Sequence, residues 1–435
     1  MKRSIISSLI NWKENENKKP LIIKGVRQCG KTYILKEFGN SYYNDMVYIN
    51  FEENESLKSI FESDFDTTRI LFELGLFVGK TIKPQTTLIV FDEIQECGRA
   101  ITSLKYFCEN SPLYHIICAG SLLGIALNKP LSFPVGKVDF LTMYPMDFTE
   151  FVKANNEDML ADYILSFSKG DKVPEVAHTK LSRLLKEYYV TGGMPEVVST
   201  WAETHDFEKM EIVQQRIIDS YELDFAKHAP IKDFPKLTAI WKSIPEQLAK
   251  ENKKFVFGHV KKGLRAKDLE DALQWLVNAG LVYQVCQIEK PFIPMSAYEN
   301  STAFKLYMSD IGLLRKLSKL PYKAILDSSS IYVQFKGAMT ENYVLCELIK
   351  SVDDKPYYWT SNNKAEVDFI VQCEDEIVPI EVKSETNVKA RSLAEYRKKY
   401  EPNYSVITSM KSETNGSEIL NIPLYLISKL KQIII

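Results

Sequence analysis

Eight consecutive residues near the N-terminus have the types and spacing of a phosphate-binding loop. They read G-x-x-x-x-G-K-T and are Gly25, Val26, Arg27, Gln28, Cys29, Gly30, Lys31 and Thr32. An apolar run at residues 21–23 predicts a strand before them, and Ile34, Leu35 and Phe38 follow at helical spacing. The glycines allow backbone N–H groups to converge on anionic oxygens at a helix N-terminus. We expect the loop to bind ATP, with Lys31 reaching the β- and γ-phosphates and Thr32 ligating Mg²⁺.

A pair of acids follows the next strongly apolar run, at residues 87–91. Asp92 and Glu93 stand directly after it, where the C-terminal end of a parallel strand faces the ligand crevice of an α/β sheet. We predict that Asp92 holds Mg²⁺ through water and that Glu93 acts as the general base on the attacking water. A third apolar run, residues 115–120, leads to Ser121, whose hydroxyl either senses the γ-phosphate or caps the next helix.

A second set of potentially reactive residues lies near the C-terminus. Residues 365–371 alternate as a strand that contains Asp368, and residues 377–383 read as its return strand. Period-two geometry places Glu381 and Lys383 on one face of that strand, and hairpin pairing brings Asp368 beside them.

Glu341 belongs to the same set, because it lies on a helical stripe that is otherwise apolar. A carboxylate buried there requires a metal ion, a lysine or a hydrogen-bond partner. The groups suit metal-dependent phosphodiester hydrolysis, with Asp368, Glu381 and Glu341 ligating a second Mg²⁺ or Mn²⁺ and Lys383 orienting water. The alternative is a salt-bridged hairpin without catalytic activity.

The pattern of elements predicts an α/β protein in four segments. Residues 1–150 alternate strand and helix, as in a P-loop ATPase domain with a parallel sheet. Residues 151–230 read as a helical lid, interrupted at residues 191–195 by two glycines and a proline. Residues 231–300 read as a winged helix, with a wing strand starting near residue 281, and residues 301–435 as a restriction-endonuclease-like α/β domain.

Composition argues against several classes of protein. The chain has 435 residues, of which 45% are hydrophobic and 26% charged, so it can form large cores. The net charge of −2 gives no global attraction to polyanions. No apolar run reaches membrane-spanning length, and the N-terminus lacks the apolar region of a signal peptide. Seven scattered cysteines without a C-x-x-C pair suggest a reducing, cytoplasmic setting.

One segment departs from this neutral background. Residues 253–267 contain six Lys/Arg residues and no acid. The segment is therefore our candidate for contact with a DNA backbone, and the alternative is an ordinary solvated face.

The two chemical sets, in this order, resemble AAA-type ATPases of bacteria and archaea that carry a C-terminal domain similar to PD-(D/E)xK nucleases. The resemblance spans nearly the whole chain. Besides the phosphate-binding loop it rests on Asp92-Glu93-Ile94-Gln95, Ala119-Gly120-Ser121, Phe133-Pro134-Val135-Gly136-Lys137-Val138, Tyr144-Pro145-Met146-Asp147-Phe148, Gly192-Gly193-Met194-Pro195 and Lys336-Gly337-Ala338-Met339-Thr340-Glu341-Asn342.

The resemblance implies nucleotide roles for Lys31, Thr32, Asp92 and Glu93, and nuclease-like roles for Asp368, Glu381 and Lys383. Lys137 departs from the pattern, because similar proteins tend to have arginine there; lysine supplies charge without the bidentate fork.

Two functions remain open on the sequence. One is an ATP-driven machine acting on DNA, which the C-terminal domain cuts or grips. The other is an ATP-dependent switch that controls a protein partner or a second copy of the chain, with a silent nuclease fold as scaffold.

Overall fold

The computed structural model describes residues 1–120, 133–250, 253–261, 263–327, 333–361, 365–386, 390–412 and 419–435. The chain divides into two compact units. The first is Met1–Pro145 with Asn278–Leu281, and the second is Met146–Val277 with Val282–Ile435. The segment boundaries expected after residues 150 and 300 fall inside a helix, Phe148–Ala154, and a strand, Glu299–Met308. The four-segment organisation stays a prediction.

The first unit contains a parallel β-sheet with α-helices between its strands. Its helices are α1 Ile5–Glu14, α2 Lys31–Tyr42, α3 Thr67–Val78 and α4 Gly98–Asn110, with 3₁₀ turns at Glu55–Phe61 and Ile94–Glu96. Its strands are β1 Leu21–Lys24, β2 Asp45–Asn50, β3 Thr87–Asp92, β4 His115–Ala119 and β5 Asp139–Thr142.

All strands of this sheet run parallel, in the order β2-β3-β4-β1-β5. Every residue of β3 and β4 is buried, which explains why both strands read as continuous apolar runs rather than alternating ones. The strands expected from residues 21–23, 87–91 and 115–120 are confirmed. Parallel pairing brings the carboxyl ends of β1 and β3 to one edge of the sheet.

The second unit begins with a helical region, as expected for residues 151–230. This region contains α5 Phe148–Ala154, α6 Asp158–Ser166, α7 Glu175–Thr191, α8 Pro195–Thr204 and α9 Phe207–His228. The later helices are α10 Phe234–Leu248, α11 Phe257–Val260, α12 Ala266–Asn278, α13 Ile311–Leu317, α14 Tyr322–Leu326, α15 Val333–Leu348, α16 Arg391–Tyr400 and α17 Leu430–Ile434.

The break expected at residues 191–195 is confirmed, because α7 ends at Thr191 and α8 begins with Pro195 in its first turn. Gly193 is required by close approach: a Cβ there would lie 2.0 Å from the carbonyl oxygen of Met146.

A mixed seven-stranded sheet completes the second unit. Its strands are β6 Val282–Ile288, β7 Glu299–Met308, β8 Tyr357–Ser361, β9 Ala365–Cys373, β10 Glu376–Val382, β11 Val406–Ser409 and β12 Leu420–Pro423. The strand order is β12-β11-β10-β9-β8-β6-β7. The strands β9 and β10 form the expected antiparallel hairpin, with Ile380 opposite Phe369.

The strand expected to start a wing, β6, belongs to the seven-stranded sheet. Strand β6 pairs antiparallel with β7 and parallel with β8, so it is an inner strand of the seven-stranded sheet. The sequence shows a helix followed by an apolar strand in either arrangement, and only long-range pairing distinguishes the two. A winged-helix module therefore stays a prediction for residues 231–300.

Candidate active site

The phosphate-binding loop connects β1 to α2, as the sequence predicts. Gly30 has a φ of 94° and precedes Lys31, the first residue of α2. Gly25 is required by its surroundings, because a Cβ there would lie 2.2 Å from the carbonyl oxygen of Met143. Cys29 is fully buried, whereas Gln28 is exposed and Arg27 is half-buried. Both glycines of the loop are therefore required by its backbone conformation or its close contacts.

Lys31 and Arg3 hold this loop from two sides. Lys31 Nζ donates hydrogen bonds to the carbonyl oxygens of Gly25 and Val26 at 2.8 and 2.9 Å. Arg3 donates from Nη1 to the Cys29 carbonyl oxygen at 2.9 Å and from Nη2 to that of Tyr144 at 2.7 Å. The ammonium of Lys31 thus lies against carbonyl oxygens of the loop, and its contact with the phosphates stays a prediction.

Thr32 and Asp92, the two predicted magnesium ligands, are in direct contact. The Thr32 hydroxyl donates to Asp92 Oδ2 at 2.6 Å, and the Tyr48 hydroxyl donates to the same oxygen at 2.7 Å. Asp92 Oδ1 accepts from the backbone N–H of Glu93 at 3.0 Å. A hydroxyl beside a carboxylate is the oxygen donor set that Mg²⁺ prefers. These residues fit the ion that the sequence predicts.

Glu93 is held in a sharp turn after β3. Its φ and ψ are 47° and 44°, a left-handed conformation that non-glycine residues adopt infrequently. Gln95 Nε2 donates to Glu93 Oε2 at 2.5 Å. The turn and the amide contact fix the direction of the carboxylate that the sequence assigns as general base.

Ser121 and Lys137 are the two further residues that the sequence associates with the ATPase site. Ser121, whose hydroxyl was expected to sense phosphate or cap a helix, lies outside the described residues. Lys137 forms an ion pair with Glu109 at 2.9 Å. The hydrogen bond within this ion pair and the charge of Glu109 raise the pKa of Lys137.

The C-terminal hairpin brings together the residues that the sequence predicts. Lys383 Nζ donates to Glu381 Oε1 at 2.8 Å, so both lie on one face. Asp368 Oδ2 accepts from the backbone N–H of Val382 at 2.8 Å, which places Asp368 beside the return strand. Asp368 and Glu381 are both buried, at 9% and 7% exposure.

Glu341, on α15, meets partners that the sequence analysis did not identify. Its Oε1 forms an ion pair with Lys253, and its Oε2 accepts from the Tyr307 hydroxyl at 3.1 Å. Strand β7 also supplies Lys305, which is fully buried and pairs with Glu366 at 2.5 Å. We call these residues the carboxylate cluster: Glu341, Glu366, Asp368, Glu381, Lys253, Lys305 and Lys383.

Burial and charge have opposite effects on acids of the cluster. Burial raises the pKa of Asp368 well above its usual range, and the charges of Glu341 and Glu381 add to this effect. Burial also raises the pKa of Glu381, against the lowering effect of Lys383. For Glu341, burial alone raises the pKa, but the charges of Lys253 and Lys305 outweigh it and lower the pKa overall.

A metal ion fits this arrangement poorly. Within the described residues, no three His, Cys, Asp or Glu side chains are grouped so that they could hold a metal ion. One Glu341 oxygen is paired with an ammonium and the other with a phenol. While Lys253 occupies Glu341, the second Mg²⁺ or Mn²⁺ expected from the sequence has no set of converging ligands in this part of the described structure.

The N-terminal part of the chain matches a family model. Residues 17–152 match the model of a family described as an AAA domain. This match covers the phosphate-binding loop, Asp92 and Glu93. Together with the parallel sheet and the loop geometry, it identifies an AAA-type P-loop domain in the N-terminal part of the chain.

Other matches are to domains of unknown function and to uncharacterized proteins. Residues 182–324 and 336–426 match two domains of unknown function, DUF8612 and DUF4143. An uncharacterized protein of Methanocaldococcus jannaschii is 22% identical over 395 residues, covering 87% of this chain and 78% of that protein. An uncharacterized protein of Haemophilus influenzae is 25% identical over 402 residues, covering 88% of this chain and 86% of that protein.

Solved structures with a remote likeness include two archaeal proteins. A Walker-type ATPase of Pyrococcus abyssi has a TM-score of 0.47 and 16% identity, covering 73% of this chain and 95% of that one. The Cdc6p protein of Pyrobaculum aerophilum has a TM-score of 0.24 and 13% identity, covering 74% of this chain and 91% of that one.

Several residues around the two sites were missed by the sequence analysis. Tyr48 and Arg3 gave no signal, because their contacts depend on how β2 and α1 pack. Lys305 and Tyr307 gave a weak signal, since both are polar residues in the second, buried half of a strand. Lys253 was assigned to a basic segment facing DNA, yet its ammonium pairs with Glu341. Because Lys253 lies in a run of basic residues, nothing in the sequence indicated its contact with Glu341.

None of the described helices is both long and apolar enough to cross a bilayer.

Proposed function

We propose that the protein binds ATP with Mg²⁺ at its phosphate-binding loop and hydrolyses the bond between the β- and γ-phosphates. The observation that carries this proposal is the contact between the Thr32 hydroxyl and Asp92 Oδ2, at 2.6 Å. This contact unites the end of the loop with the acid after β3, the two places from which a P-loop domain holds its metal ion. The AAA-domain match over residues 17–152 supports the same reading.

Each residue of the site has a role that follows from its position. The backbone N–H groups of the loop and the start of α2 bind phosphate oxygens, and Lys31 neutralises charge on the β- and γ-phosphates. Thr32 and, through water, Asp92 would hold Mg²⁺, which when bound would neutralise charge on the phosphates. Glu93 accepts a proton from the attacking water, and Gln95 keeps its carboxylate in position.

The second unit couples this site to a further target in our proposal. We assign a lid role to the helices α5–α9, a winged-helix role to residues 231–300 and a nuclease-like fold to residues 301–435. The remaining residues of the basic segment 253–267 are the candidate DNA contact. In this first candidate function, the ATPase acts on DNA that the second unit binds or processes.

A second candidate function is favoured by the ion pairs of the carboxylate cluster. Lys253 pairs with Glu341, Lys305 with Glu366, and Lys383 with Glu381. Carboxylates neutralised in this way suit a silent scaffold better than a nuclease centre. In this candidate, ATP binding switches the protein between states that a protein partner, or a second copy of the chain, distinguishes.

The test is phosphate release by the full chain, measured with Mg·ATP and with EDTA present. We expect release that requires Mg²⁺, and its complete absence with clean, folded protein would overturn the ATPase proposal. Single-stranded, duplex and branched DNA are then added at low salt, because phosphate contacts weaken as salt rises. Strong stimulation supports the DNA-acting machine, and unchanged release supports the switch.

A further inference from the structure

The carboxylate cluster is crossed by a segment that comes from outside the hairpin. Lys253 lies between α10 and α11, and the next residues are fixed to strand β7. The backbone N–H of Phe255 donates to the carbonyl oxygen of Phe304 at 2.9 Å, and the two rings stack with their centroids 5.6 Å apart. The N–H of Val256 donates to Gln247 Oε1 at 2.6 Å. These contacts hold the segment beside the strand that carries Lys305 and Tyr307.

The backbone conformation of Lys253 also favours this position. Its φ is 49°, in the left-handed region that costs a residue with a Cβ about 1 kcal/mol or more. The side chain is only 19% exposed, and its partner Glu341 is 4% exposed. A lysine in an ordinary solvated face needs neither the conformation nor the burial. The segment therefore places this ammonium inside the cluster at a cost.

The charges of the cluster nearly balance without any bound ion. Lys253, Lys305 and Lys383 face the four carboxylates Glu341, Glu366, Asp368 and Glu381. At most one net negative charge remains. Burial lowers the pKa of Lys253, but the charges of Glu341 and Asp368 outweigh this effect and raise the pKa overall. A divalent ion at Glu341 would face this ammonium at close range and be repelled.

We propose that the Lys253 ammonium is a built-in cation of the carboxylate cluster and excludes a divalent metal ion from Glu341, Asp368 and Glu381. The ammonium satisfies the buried Glu341 carboxylate, as the metal ion would in a nuclease centre. One oxygen of Glu381, Oε2, is buried without a hydrogen-bond partner, so the cluster retains an acceptor that a metal ion can use once Lys253 is removed. The proposal concerns the second unit alone, and its failure leaves the ATPase proposal intact.

The principal test removes the ammonium and measures Mn²⁺ binding. Full-length wild type, Lys253→Met and Lys267→Met are titrated with Mn²⁺ by calorimetry without nucleotide, so that binding at Thr32 and Asp92 contributes equally to all three. Lys267 is an exposed lysine of the same basic segment and controls for the change in net charge. We expect Lys253→Met to gain one Mn²⁺ per chain with an affinity at least about tenfold above both other proteins.

The position of the new ion is checked with a second substitution and by melting. In Lys253→Met/Asp368→Asn the added binding is expected to vanish. Mn²⁺ is expected to raise the melting temperature of Lys253→Met by several degrees more than that of wild type, by mass action. Equal Mn²⁺ affinity in Lys253→Met and Lys267→Met, or tight wild-type binding that depends on Asp368, would overturn the proposal.

A measurement on the wild-type chain keeps the proposal testable if Lys253→Met does not fold. Acetylation by acetic anhydride is followed residue by residue with mass spectrometry. Because an ion-paired, buried ammonium is shielded from the reagent, Lys253 is expected to react at least about tenfold more slowly than Lys267. Equal rates for the two lysines would contradict a built-in cation.

Discussion

The Thr32 hydroxyl donates a hydrogen bond to Asp92 Oδ2 at 2.6 Å, and this bond links the first turn of α2 to the end of β3. Strand β4 separates β1 from β3 in the sheet, so these residues meet only because the parallel strands share one carboxyl edge. The fold itself thus assembles the predicted magnesium ligands. Their contact makes the site sensitive to residues that orient Asp92.

Tyr48→Phe tests one such residue. The Tyr48 hydroxyl donates to Asp92 Oδ2 at 2.7 Å, and burial together with Asp92 raises the pKa of Tyr48, so the proton stays on the phenol. Losing a hydrogen bond to a charged group is expected to lower the free energy of unfolding by about 1.5–3 kcal/mol. We also expect slower Mg·ATP turnover. Urea unfolding and phosphate release measure the two effects. Tyr42→Phe, at a 38% exposed position, is the control and should change neither.

Thiol alkylation tests the state of Cys29. The position of Cys29 in the loop predicts a reactive thiolate beside bound phosphate, so that alkylation inactivates the ATPase and Mg·ATP protects it. The alternative is a buried, inert cysteine. The structure favours the inert alternative, because Cys29 is fully buried and its sulfur lies 3.7 Å from the Met143 carbonyl oxygen. We therefore expect iodoacetamide to label the half-buried Cys108 first and to leave Cys29 unmodified in the folded protein. Mass spectrometry that finds Cys29 labelled as fast as Cys108 would contradict this.

Glu347 is expected to make stability depend on pH. Its carboxyl is 1% exposed and accepts from the backbone N–H of Phe148 at 3.0 Å. Burial raises the pKa of Glu347 to about 8. The folded state therefore holds a proton that the unfolded chain releases at lower pH, so stability falls as pH rises from the ordinary glutamate range through 8.

Glu347→Gln removes this titration and keeps an acceptor of the same shape. Between pH 6 and 9 we expect wild type to lose on the order of 2 kcal/mol more stability than the variant, as measured by urea unfolding at each pH. The control is Glu270→Gln, at an exposed position, which should keep the wild-type profile. Parallel profiles for wild type and Glu347→Gln would show that this carboxyl does not titrate in the range.

Much of the first unit could be predicted from local sequence. The loop, β1 and β3 have short-range signatures, since the glycines, the apolar runs and the acids lie within a few residues of one another. The hairpin of β9 and β10 was predictable for the same reason. That Glu341 has a partner was also predictable, because a carboxylate on an apolar helical face is costly to bury without one.

The identity of that partner could not be predicted, because it depends on long-range packing. Lys253 precedes Glu341 by 88 residues and reaches it only because its segment is attached to β7. The inner position of β6 has the same origin, since its pairing with β8 joins strands about 70 residues apart in the chain. Hydrophobic period reports which face of an element is buried, but not which element covers it.

The most direct test of the central claim separates ATP binding from ATP turnover in two variants. Calorimetry with Mg·ATP and phosphate release are measured for wild type, Lys31→Ala and Glu93→Gln. We predict that Lys31→Ala loses tight binding, because it loses the ammonium that lies against the loop, whereas Glu93→Gln binds like wild type and turns over about 10²-fold or more slowly. Equal loss of binding in both variants, or wild-type turnover by Glu93→Gln, would contradict the assignment of this site.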